Sequence, residues 1–170
     1  IYLPPQALAG KHCAALFYLA GLTCTEETFA IKAHAQKMAS QLGLILVTPD
    51  TSPRGENVAK GDHWDIGQGA GFYINATESP WSAHYQMENC IASELYDLIV
   101  RNFAVHADKT GIMGHSMGGH LLTRWASDPG RGGSAFRAEL DGLVLAAPFY
   151  GLGGPVAMRS AAMRLAPIQV

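Results

Sequence analysis

The sequence has no histidine beyond position 120, although seven lie at or before it, and its only aspartates after position 116 are Asp128 and Asp141. A site that draws an imidazole and an orienting carboxylate from late in the chain is therefore short of residues. Charge of one sign is missing too: the net charge is -2 with no basic run anywhere, which removes the electrostatic case for nucleic acid or an anionic membrane surface. No apolar stretch approaches the roughly 20 residues that span a bilayer, and no charged-then-apolar leader with a cleavage site opens the sequence. A soluble, cytoplasmic protein is the expectation. Only three cysteines occur, Cys13, Cys24 and Cys90, without paired or metal-like spacing, so reduced thiols are expected and zinc is not. The chain opens on Ile1 rather than methionine and stops at Val170 soon after an apolar strand and a glycine-rich loop, so truncation at both ends is expected.

What is present is ordinary globular material, 170 residues with 48% hydrophobic and 15% charged, enough to bury a core as one partial domain over 1–170. The apolar run at 14–19 is continuous rather than alternating and ends in Ala20-Gly21, which predicts a strand buried on both faces. Glu26 and Glu27 place acids in the first turn of a helix running to about Leu42, where Gly43 closes it. A full capping box is not expected there, because Thr28 rather than an acid or amide stands three residues after Thr25. Residues 44–47 form a second buried strand. Residues 51–80 are rich in Gly, Asp and Asn without a sustained period, which marks a long ordered loop of the kind that carries function. Met87, Ile91, Leu95, Leu98 and Ile99 recur at helical intervals within 81–103, 111–113 reads as a short strand, 119–127 as a helix and 143–148 as a fourth strand. Strands alternating with helices predict a three-layer α/β fold with a mostly parallel sheet and right-handed crossovers.

Between the third strand and the following helix lies Gly114-His115-Ser116-Met117-Gly118. Gly-x-Ser-x-Gly is short, but in a strand-turn-helix setting it describes a nucleophile elbow, in which a strained serine is lifted clear of the sheet and flanking side chains would collide. The helix N-terminus then points at the place where an oxyanion forms, with the Met117 amide as one donor. The loop Gly21-Leu22-Thr23 after the first strand stands where the Leu22 amide supplies the second. Both lie at the C-terminal strand edges, where such sheets bind ligands.

Leu19-Ala20-Gly21-Leu22-Thr23-Cys24-Thr25, Pro49-Asp50-Thr51-Ser52-Pro53-Arg54-Gly55, the stretch from Asp65 through Gly67, Gly69 and Gly71 to Phe72-Tyr73-Ile74-Asn75-Ala76-Thr77, and Gly114-His115-Ser116-Met117-Gly118-Gly119-His120 together resemble the S-formylglutathione hydrolases of the esterase D family. The resemblance runs over about residues 1–120. It implies an α/β-hydrolase fold and hydrolysis of the thioester S-formylglutathione to glutathione and formate in formaldehyde detoxification, with side activity on short acyl esters and no cofactor. Carried over by position, Ser116 is the nucleophile and Leu22 and Met117 are the oxyanion-hole residues. Cys24 matches a cysteine near the family's site, where a thiol confers sensitivity to oxidants, while a small buried hydrophobe is an equal reading of it. Trp64, Phe72, Tyr73 and Trp81 are candidate walls of the substrate pocket, with core packing as the alternative for each.

The sequence departs from that family in its tail. The hydrolase order is serine, acid, histidine, and the last histidine here is His120. Asp128 reads as a helix-terminating turn residue and Asp141 as a strand entry, His115 and His120 as packing or helix-surface residues, and His63 and His84 as buried, hydrogen-bonded residues near the pocket. Beyond position 120, residues 121–125 and 143–152 resemble lysophospholipases and monoglyceride lipases of the same superfamily, which suggests a hybrid joined near 120. Three functional readings stay open: a serine esterase or thioesterase, a catalytically impaired hydrolase fragment that forms a homo-oligomer through an uncovered sheet edge, and a lysophospholipase-like carboxylesterase.

Overall fold

The computed structural model describes residues 1–119, 121–122 and 140–148. Four strands, β1 (Cys13–Leu19), β2 (Leu44–Val47), β3 (Val105–Ser116) and β4 (Leu140–Pro148), form one sheet in the order β2-β1-β3-β4, and every pairing is parallel. Parallel neighbours require crossover connections. After α1 (Pro5–Leu8) and β1, the chain reaches β2 through α2 (Glu26–Ala33) and α3 (Gln36–Leu42). It then returns past β1 to β3 through α4 (Met87–Asn89), a π-helical stretch (Cys90–Leu95) and α5 (Tyr96–Asn102). The expected α/β architecture is present.

The two connections lie on opposite faces. Cys13, Ala15, Phe17 and Leu19 of β1 are buried in one cluster with Ile91, Ala92, Tyr96 and Ile99 of the return connection and with Met117, Leu121 and Leu122 after β3. Successive strand side chains alternate faces, so Tyr18 points the other way, where its ring stacks on Phe29 of α2 at 3.9 Å. The sheet is thus sandwiched between helices. Burial of β1 alternates between full and partial rather than being continuous as expected. The physical reason is a thin outer layer: α2 has no buried residue and α3 only Ala39.

Other expectations are corrected by local geometry. The single helix expected over 26–42 is two, because His34 takes a left-handed φ of 46°, which breaks the i to i−4 ladder. Gly43, at φ 66°, closes α3 as expected, donating its N–H to the Ala39 carbonyl. A capping box does form at α2: the Thr28 hydroxyl accepts the Thr25 backbone N–H at 3.0 Å, so a hydroxyl does what an acid or amide was expected to do. Helix over 81–103 is delayed to Met87, after an isolated 3₁₀ turn at Trp81–Ala83. The intervening backbone is spoken for, since the Tyr85 carbonyl accepts from Ala76 and Met87 N–H donates to Ile74. β3 is much longer than 111–113. Its pairing jumps from Cys13 with Val105 to Ala15 with Thr110, and the bulged residues between hold the polar Asp108-Lys109 pair that hid the strand. β4 starts at Leu140 rather than 143, so Asp141 lies within it and not at its entry. The elbow helix starts at 117, and 117–119 and 121–122 are helical. The remainder of the helix expected to 127, Asp128, His120 and the tail beyond 148 lie outside the described residues.

Candidate active site

The chain leaves β1 in one direction and enters β3 from the other, so a crevice opens beyond the carboxyl ends of these two neighbouring strands, the switch point where α/β sheets bind ligands. Register decides what meets there. Leu19 pairs with Gly114, which brings the loop after β1 level with the turn after β3. Ser116 ends β3 with φ 53°, a left-handed conformation that costs a non-glycine residue about 1–3 kcal/mol and is held by the buried Met117, Leu121 and Leu122 that follow.

The motif glycines are explained by contact. A Cβ on Gly114 would lie 2.6 Å from the Gly118 carbonyl carbon, and one on Gly118 would lie 2.1 Å from the Leu19 carbonyl oxygen. The elbow therefore packs backbone on backbone, against itself and against β1. Gly21 completes the arrangement, since a Cβ there would stand 3.1 Å from Ser116 Cβ, 3.5 Å from its Oγ and 3.2 Å from His115 Nδ1. The structure thus brings the Gly21-Leu22 loop against the Ser116 side chain, with Met117 opening the helix beyond. The Leu22 N–H has no hydrogen-bond partner among the described residues.

Loops after β1 and β2 are tied together. The buried Tyr73 hydroxyl donates to the Ala20 carbonyl at 3.1 Å, and burial pushes its phenol far up, so it stays a donor. Thr23, at φ 67°, donates its N–H to the Gly69 carbonyl at 2.8 Å. The Cys24 carbonyl accepts the Thr51 hydroxyl at 2.5 Å and Arg54 Nη2 at 3.4 Å. Arg54 in turn grips Asp50 through Nε at 2.6 Å and Nη2 at 3.0 Å. Burial alone would raise the Asp50 carboxyl, but the hydrogen bonds and charge of Arg54 and the Thr51 amide overcome it and hold the group below its usual range.

The other expected pocket residues separate. Cys24 is half-buried and lines a cavity of about 290 Å³ with Tyr18, Thr28, Phe29, Lys32 and His115. None of the four aromatic candidates is among those lining residues. Tyr73 is fully buried in the core, and Phe72, at φ 51°, packs half-buried against it. Trp64 is 70% exposed, and Trp81 is half-buried with its ring edge-on to Tyr85. His63 and His84, expected to be buried and hydrogen-bonded, are exposed, because each sits on a tight turn with only its backbone engaged. His115 is exposed beside the crevice rather than packed. Among the described residues, no imidazole hydrogen-bonds to Ser116, and no group of three His, Cys, Asp or Glu side chains converges to hold a metal ion. Sequence reasoning gave no role to Asp50, Thr51, Ser52 or Arg54. The available signal was a polar cluster placed immediately after a buried strand.

A strained serine at a parallel-strand elbow, packed against the loop that follows the neighbouring strand at a switch point, is the arrangement of the α/β-hydrolase class. Comparison agrees: residues 1–126 match the putative esterase family, and the chain belongs to it. S-formylglutathione hydrolase of Mus musculus is 54% identical over 121 residues, which cover 71% of this chain and 43% of that protein. The solved structure of an S-formylglutathione hydrolase from Agrobacterium tumefaciens is 46% identical, with a TM-score of 0.70 over 76% of this chain and 47% of that one. A Staphylococcus aureus S-formylglutathione hydrolase, 18% identical, shares the fold with a TM-score of 0.60 over 95% of this chain and 57% of its own. The chain therefore spans less than half the length of the first two relatives.

Proposed function

We propose that this chain acts as a serine esterase and thioesterase of the S-formylglutathione hydrolase type, with Ser116 as nucleophile and the Leu22 and Met117 amides as oxyanion hole. The observation that carries the reading is the left-handed Ser116 at the end of β3, with the Gly21 loop against its side chain. Identity with relatives that bear that name over 121 residues supports the substrate class, a glutathione thioester or a short acyl ester.

In this mechanism Ser116 Oγ attacks the acyl carbon and gives up its proton, and the carbonyl oxygen becomes an oxyanion. Two N–H donors stabilise that charge more than they stabilise the ground-state carbonyl, which is what lowers the barrier. Collapse expels the glutathione sulfur, which takes up a proton, and water then cleaves the formyl-serine ester to release formate. No cofactor enters these steps. His63 and His84 are solvent-facing, so the Ser116 proton passes to water or to a general base outside the described residues. An oxyanion hole without its base still retains about 10³–10⁴-fold over water in serine proteases, so acylation remains measurable. A cytoplasmic setting and a single partial domain over 1–170 belong to this proposal.

Labelling with a fluorophosphonate probe tests it, with Ser116→Ala as the control. The expected result is a stable adduct on the parent chain and none on the variant. Hydrolysis of S-formylglutathione, a short acyl ester and a monoacylglycerol should then rank the thioester highest in kcat/KM. Absence of a Ser116-dependent adduct rejects the enzyme, and a preference for monoacylglycerol moves the chain to the lipase reading of its tail.

A further inference from the structure

Resting on that assignment of the oxyanion hole, we infer that Thr51 is a positioning residue for catalysis: it fixes the Leu22 amide through the Cys24 carbonyl. The Leu22 N–H has no partner among the described residues, but the Gly21 carbonyl of the same planar peptide accepts the Cys24 N–H at 3.2 Å, so the direction of the amide follows the placement of Cys24 and its neighbours. On one side, Ala20 is fixed by Tyr73. On the other, Thr23 is tied to Gly69 and Cys24 to Thr51, and both ties lead to the same two residues after β2. Gly69 donates its N–H to Ser52 Oγ at 2.7 Å, while its carbonyl accepts from Thr23 at 2.8 Å. Thr51 and Ser52 therefore grip consecutive residues of the oxyanion loop, one directly and one through Gly69.

These residues are built to be rigid. Thr51 is 0% and Ser52 3% exposed, which is uncommon for hydroxyl side chains on a loop. The Thr51 backbone N–H donates to Asp50 Oδ1 at 2.6 Å, and Asp50 is held in turn by both Arg54 donors. The space beside Thr51 is also closed, since a Cβ on Gly71 would lie 2.7 Å from the Thr51 carbonyl oxygen. A hydroxyl fixed by its own backbone anchors can impose a direction on the loop it bonds. An oxyanion donor must be aimed before charge develops, so loss of that aim weakens the transition state more than the bound ground state.

Two substitutions separate positioning from packing. Thr51→Val keeps the volume and loses the hydroxyl, and Thr51→Ser loses the methyl and keeps the hydroxyl. In the full chain, the maximal rate of fluorophosphonate acylation should fall at least about tenfold in the valine variant with half-saturating probe concentration unchanged. The serine variant should restore the rate to within about twofold even where its melting temperature is the lower of the two. In ¹H–¹⁵N spectra, the Leu22 amide resonance should move in the valine variant and stay in place in the serine one. Wild-type acylation by Thr51→Val, or rates that simply follow melting temperature across both variants, overturns the inference. If the parent chain takes up no probe, the proposed activity fails, and the Leu22 resonance alone decides whether Thr51 sets the loop.

Discussion

Replacing Gly118 with alanine sets two physical arguments against each other. Gly118 lies in the first turn of the elbow helix with no left-handed φ, so helix propensity favours alanine by about 1 kcal/mol. Sterics oppose it: the new Cβ would stand 2.1 Å from the Leu19 carbonyl oxygen, 2.6 Å from the carbonyl carbon and 2.7 Å from Leu19 Cβ. Carbon-to-oxygen contacts settle at about 3.3–3.6 Å, so the helix must retreat from β1 by about 1 Å. The obstructing atoms are mainly backbone of a buried strand, which cannot swing aside. Overpacking costs about 1–3 kcal/mol, and a rigid backbone overlap this deep belongs at the upper end, so a net loss of about 2 kcal/mol is expected after propensity is counted. For a chain of this size that lowers the melting temperature by about 4–8 °C. The same retreat carries Ser116 away from the Leu22 amide, and a 1 Å displacement in a catalytic constellation costs about a hundredfold in rate. Melting temperature and fluorophosphonate acylation rate are the two measurements. Gly10→Ala is the control, since Gly10 has φ 79° but nothing within 4 Å of an added Cβ; it should cost about 1 kcal/mol and leave acylation unchanged. A Gly118→Ala chain that melts higher than the parent, or acylates at its rate, refutes the backbone-contact argument.

Two further outcomes follow from the same loops. Tyr73→Phe strands the buried Ala20 carbonyl and should destabilise the chain by about 1–3 kcal/mol in urea unfolding, with slower acylation because the oxyanion loop loses an anchor. Asp50 has its folded pKa below its unfolded value of about 3.9, so the unfolded chain binds the extra proton and stability rises with pH through that range. The Asp50 contribution is present near neutrality and lost as pH falls through the depressed value; the stability gap between the parent and Asp50→Asn should accordingly close between about pH 5 and the acid limit, and a gap that widens on acidification rejects the assignment.

Much of the fold was legible because its signals are local. Continuous apolar runs at 14–19 and 44–47 marked β1 and β2, the glycine at 43 marked a helix end, and alternating elements required a parallel sheet. The misreadings arose where distant contacts or a single left-handed residue override local preference. His34 breaks a helix that composition would continue, the backbone bonds of Tyr85 and Met87 to the long loop delay α4, and a bulge conceals most of β3 behind Asp108 and Lys109. The aromatic residues of the long loop were equally opaque, since the same side-chain chemistry serves a core, a pocket or a surface. Only packing sends Tyr73 inward and leaves Trp64 in solvent.

By itself the sequence determined that an elbow exists at Ser116, because Gly-x-Ser-x-Gly between an apolar strand and a helix has few other geometries that avoid collision. It also places no histidine between positions 121 and 170. Tertiary structure decided what the elbow faces. The pairing of Leu19 with Gly114 sets Gly21 against Ser116, and the grip of Thr51 and Ser52 on Thr23 and Cys24 fixes the loop that bears Leu22. Register and loop-to-loop hydrogen bonds join residues tens of positions apart, and no periodicity along a chain encodes a distance between such residues.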